Sequence, residues 1–143
     1  MARGKGRLTP CTLADARERL SRGEAFLAAA ELVLGETVKP DDDEINLTGV
    51  SAALAVLAGI AAADAACCAA FGERSRGQDH RAAVDLVKGV AVHGDQLSKD
   101  LDRLLDLKDN AHYGVLSVKD SDATKALTWA GRMVKLAREV VRT

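Results

Sequence analysis

Apolar residues recur along this chain with helical spacing, and no stretch alternates with period two. Leu13, Leu20, Leu27 and Leu34 repeat every seven residues, and Ala16, Gly23 and Ala30 follow the first three at an interval of three. That makes one narrow helical face whose small residues allow close helix approach. "GETVKPDDDEIN" breaks the pattern with a glycine, a proline and an acidic run, and reads as a solvated connecting loop. A second helix is predicted over Thr48 to Phe71, stopped by Gly72, and "ERSRGQ" follows as an exposed turn. A third spans Asp79 to Val92, with Ala83, Val84, Val87 and Val90 or Ala91 on one side and Gly94 as its stop. A fourth runs from Gln96 to Tyr113 on a stripe of Leu97, Leu101 and Leu104. The fifth presents Ala123, Ala126, Leu127, Ala130, Val134, Ala137 and Val141 inward, with Ser121 or Asp122 capping its start. Near its end, Lys135, Arg138 and Arg142 suit the helix dipole. The pattern predicts an all-α protein: an antiparallel up-and-down bundle of about five helices without a sheet.

The second helix is apolar on every side and long enough to suggest a membrane span. It is mostly alanine, however, and carries Asp64 at depth. An acid at the bilayer centre costs about 2.5–3.5 kcal/mol on insertion scales. A central core helix is therefore expected, and no membrane partner.

Composition narrows the function classes. The chain has 143 residues, enough for one domain with a real core. Residues 1–11 read as a flexible basic tail and 12–143 as a single bundle domain. Its 20 lysines and arginines nearly balance 21 acidic residues, so nucleic-acid contact would have to be local. Cys11, Cys67 and Cys68 have no zinc spacing and are odd in number, which reads as reduced thiols in a cytoplasmic protein. The three histidines lack metal-ligand spacing, no phosphate loop or nucleophile elbow occurs, and neither metal nor cofactor is expected. His80 reads as a capping or surface residue and His93 as a helix-end histidine; Trp129 and Met133 read as packing residues.

"LKDNAHYG" carries the sharpest chemistry. Lys108 and His112 are neighbours on one helix face and extend a leucine stripe into a polar patch. Burying either without a partner is costly, so either the helix end projects beyond the core or these residues meet something, and Asp64, the lone acid inside the second helix, is the expected partner. Arg74, Arg76 and Arg81 cluster around the turn after that helix, where they could contact phosphate.

The same stretch resembles the signature of HEPN domains, the higher eukaryote and prokaryote nucleotide-binding superfamily. One branch has R-x-x-A-D-Y ending its penultimate long helix. Lys108 stands at the arginine, Ala111 matches, His112 stands at the aspartate and Tyr113 matches. "AFLAAAELVL", "ALAVLAGIAAADAACCAAFG", "DHRAAVDLV" and "DATKALTWAGRMVKLAREVV" resemble the other family helices in order, so the likeness covers residues 12 to 142. The resemblance implies a bundle that forms a homodimer and binds RNA, a nucleotide or a protein partner, such as a nucleotidyltransferase-like antitoxin. It implies, as the alternative, a metal-independent toxin-like endoribonuclease in which Lys108, His112 and Tyr113 line a cleft at the dimer interface. There the cation would stabilise the phosphorane and the histidine would move protons. Lys108 lacks the arginine fork, and three residues separate it from His112, against four to six in the nuclease motif. Asp64, Asn110, Arg74, Arg76 and Arg81 complete the expected binding set.

Overall fold

The computed structural model describes residues 7–39, 44–76, 80–112 and 118–142, without the side chains of Ala111 and His112. It is an all-α bundle of five helices: α1 (Leu13–Val33), α2 (Thr48–Phe71), α3 (Arg81–Lys88), α4 (Gly94–His112) and α5 (Asp120–Arg142). Thr12 and Asp15 close a capping box at the start of α1, each backbone N–H donating to the other's side chain at 2.8 and 3.1 Å. Asn46 accepts from the Thr48 backbone at 2.7 Å where α2 begins. Gly72 ends α2 at φ 69°, a left-handed conformation in which a side chain would be strained. At the start of α5, Asp122 accepts from the Lys119 backbone at 3.0 Å, as its position predicted.

The heptad face of α1 packs on α2. Ala16, Leu20, Gly23 and Ala30 are buried, and a side chain on Gly23 would press on the Ala58 carbonyl. Ser51 donates to the Ala30 carbonyl at 2.7 Å, which ties the end of α1 to the beginning of α2. These two helices are antiparallel, and so are α4 and α5, where Asp100 meets Arg132 and Arg103 lies over Trp129. The pair α2 and α5 runs parallel: Thr48 donates to Asp120 at their starts, and Gly59 meets Met133 further along. The expectation of antiparallel neighbours therefore holds along the chain and not across the core. The interior is aliphatic, with Leu97, Leu101, Leu104, Met133, Val87 and Val134 fully buried.

α2 is long and apolar enough to cross a membrane by composition, yet 67% of its most apolar window is buried inside the bundle. Its covering is incomplete. Val50 and Leu57 are 48% and 44% exposed, so one stripe along its first half faces outward.

Several expectations need correction. The absence of strands fails: β1 (Arg7–Pro10) pairs antiparallel with β4 (Glu73–Arg76), and β2 (Thr37–Val38) with β3 (Ile45–Asn46). The stretch expected to be an exposed turn is thus a strand, and residues 7–10 of the expected tail are its partner; residues 1–6 lie outside the described residues. The three reduced thiols fail as well, because Cys11 and Cys68 form a disulfide and only Cys67 is free. That bridge removes the thiol argument for a cytoplasmic location. Finally, α3 is shorter than its apolar spacing. Val90 is still buried, but it sits in a turn whose Val92 adopts φ 68°. Gly94 opens α4 where it was expected to stop α3, because a Cβ there would collide with the Lys88 carbonyl.

Candidate functional site

Lys108 lies on the last turns of α4, exposed, with no ion pair among the described residues. It stands at the rim of an open groove of about 430 Å³. The floor is the uncovered stripe of α2, from Gly49 through Ala53 and Leu57 to Ile60, and Leu107 and Val118 form apolar walls. His80, at the N-cap of α3, lines the same groove. Among the described lining residues there is no carboxylate. The groove therefore combines an apolar floor with a cation and an imidazole at its edge. Its volume falls in the range of small-ligand sites, roughly 300–1,000 Å³.

The other expected residues are distributed differently. His112 ends α4, but its side chain, like all of Tyr113, lies outside the described residues. Asn110 is exposed on α4. Asp64 is buried in the second half of α2, beyond the part of that helix that faces Lys108. Its ion-pair partner is Arg74, at 4.0 Å, so the expected pairing with Lys108 is replaced by one with the strand after α2. The reason is topological: α4 runs antiparallel to α2, which carries the end of α4 to the beginning of α2. The Arg81 guanidinium is partly exposed but already paired. It is held by Asp102, by Asp106 at 2.8 Å and by Asp109 at 3.0 Å, acids spaced along one face of α4. Those hydrogen bonds, Asp106 foremost, raise its already high pKa. Arg74 and Arg76 both lie in β4.

Burial dominates the chemistry around Asp64. Loss of solvent pushes its carboxyl up to about 6, and Arg74 and then Arg19 pull back only in part. The neighbouring Cys67 thiol is pushed up to about 12, first by burial and then by the Asp64 charge. Because the folded carboxyl binds its proton more tightly than the unfolded one, the folded state holds more protons between pH 3.8 and about 6. Stability should therefore fall as pH rises through that window, by up to about 3 kcal/mol, and level off above it. Asp64→Asn should flatten this part of a denaturation-versus-pH series; an unchanged slope would show that another group causes it.

Three features escaped the sequence reading. His93 is not at a helix C-terminus, because α3 ends at Lys88, and it pairs instead with Glu139 of α5 at 3.0 Å. His80 belongs to the groove, a placement that no spacing rule reveals. Asp100 is fully buried and receives a bidentate Arg132 at 2.6 and 2.7 Å. Its signal was present: it sits one turn from Leu97, inside the leucine stripe of α4.

Comparison of the chain with family models, with curated proteins and with solved structures finds no match.

Proposed function

We propose that this protein is a HEPN-like binding module that takes an RNA or nucleotide ligand at the groove beside Lys108. The observation that carries this reading is the groove itself, an apolar floor with an exposed cation at its rim and no carboxylate among its described lining residues. A nucleotide has the matching chemistry, a flat and weakly polar base joined to a charged phosphate. Lys108 would meet the phosphate as a point charge, and the α2 stripe would cover the base. The uncovered Val50 and Leu57 support a symmetric homodimer along the same face. A nucleotidyltransferase-like partner would compete for that surface.

Calorimetric titration with nucleoside monophosphates and short RNA tests the reading. Lys108→Ala should weaken binding about tenfold or more, equivalent to about 1.4 kcal/mol. The reading fails if the wild type binds neither ligand or if the variant binds equally well.

The ribonuclease reading has one observation in its favour: His80 and Lys108, an imidazole and a cation, line one groove. RNA cleavage by the wild type, lost in His80→Ala or His112→Ala with the fold intact, would promote it over simple binding.

A further inference from the structure

A second group of cations assembles on the ribbon formed by β1 and β4, apart from the groove. In that ladder Arg7 lies opposite Arg76, and Thr9 lies opposite Arg74. Residues two apart on a strand share a face, so Arg7, Arg74 and Arg76 occupy one face of the ribbon. Glu73, the ribbon's acid, belongs to the other face with Ser75. Arg74 has Asp64 at 4.0 Å. Arg7 and Arg76 are exposed, and neither has a carboxylate within ion-pair distance among the described residues.

Like charges directly opposite each other on antiparallel strands repel, at a Cβ separation of about 4.5–5.5 Å. Among the described residues no carboxylate offsets that repulsion at the Arg7–Arg76 position. A phosphate between the two guanidiniums would replace it with charge-assisted hydrogen bonds, for which the planar arginine fork is well shaped. The spacing is also set in advance. Cys11, next after β1, is bridged to Cys68 of α2, and its backbone donates to Gly72 at 2.9 Å. β4 leaves α2 directly after the same Gly72. Both arginine strands are thus tied to one helix end, which lowers the cost of ordering them around a ligand.

The geometry points to the phosphate backbone of a nucleic acid as the ligand of the Arg7–Arg76 edge. A polymer fits better than a single ion, because Arg74, two residues before Arg76 on the same face, continues the cations along the strand. A nucleic acid fits better than a membrane, because no large apolar side chain is exposed on either strand of the ribbon, and interfacial binding needs apolar insertion. This surface does not depend on Lys108, so it stands or falls apart from the groove.

The test is fluorescence anisotropy of a labelled single-stranded RNA across a salt series, with the oxidised full chain. Combined Arg7→Ala and Arg76→Ala should weaken RNA binding tenfold or more. It should also lower the slope of log affinity against log salt by about 1.4, at about 0.7 per lost phosphate contact. Arg7→Lys with Arg76→Lys should keep most of the slope, and circular dichroism should show the alanine variant folded. Nucleoside monophosphate binding, which reads the groove, should be unchanged in the alanine variant. The inference is overturned if the wild type does not bind RNA, or if the alanine variant keeps the affinity and slope. It is equally overturned if phosphatidylserine vesicles or inorganic phosphate alone bind through these arginines while RNA does not.

Discussion

Replacing Cys11 by serine should lower the unfolding free energy by about 4 kcal/mol, the chain-entropy value for a loop of this length. The bridge closes 57 residues between the end of β1 and the last turns of α2. In the unfolded chain it forbids most separations of those two points; in the folded protein it replaces contacts that already exist. The ribbon would keep its hydrogen bonds but lose its covalent anchor, and Leu8, which packs against the core, would be held by the ladder alone. At about 2–4 °C per kcal/mol for a domain of this size, the melting temperature should drop by roughly 10 °C. Thermal melts with and without a dithiol reductant check this, and equal midpoints would contradict it. Cys67 provides the control. Its thiol is buried and pushed up to about 12, so it should resist alkylation in the native state under either condition.

Arg132→Met should destabilise the protein by about 1–3 kcal/mol, the usual cost of leaving a buried polar group under-satisfied. Asp100 is 0% exposed, and both its oxygens are taken by Arg132. Gln96 at 3.2 Å and Arg103 at 3.5 Å would remain, but both are long and reach only one oxygen. The Arg132 guanidinium itself stays partly in water, and its hydrogen bonds to Asp100 raise its pKa. The loss therefore comes mainly from the carboxylate left behind. Asp100→Leu combined with Arg132→Met should recover most of the stability, because an apolar pair of similar volume needs no counter-charge. Urea denaturation of the two variants separates these outcomes. If the double variant were as unstable as the single one, packing rather than charge would be the cause.

Local pattern was enough to place four of the five helices closely, but not the end of α3. The unbroken run of small apolar residues, closed by glycine, placed α2 at Thr48–Phe71, and the apolar spacing of α1 and α5 named most of their buried faces. Lys108 was legible in part: a charge at the end of a leucine stripe either leaves the core or meets a partner, and in the structure it is exposed and does not meet the expected Asp64. What the sequence could not determine depends on contacts between distant residues. β1 and β4 each have four residues and no periodic signal, and they become strands only because the folded bundle brings Arg7 to Arg76 and Cys11 to Cys68. The partner of Asp64 was decided the same way. Helix direction carries Lys108 to the wrong end of α2, and the chain leaving Gly72 returns Arg74 beside the buried acid. Helical periodicity tells which face of a segment is buried; only tertiary structure, which spends conformational entropy to close long loops, decides what that face and its flanking charges meet.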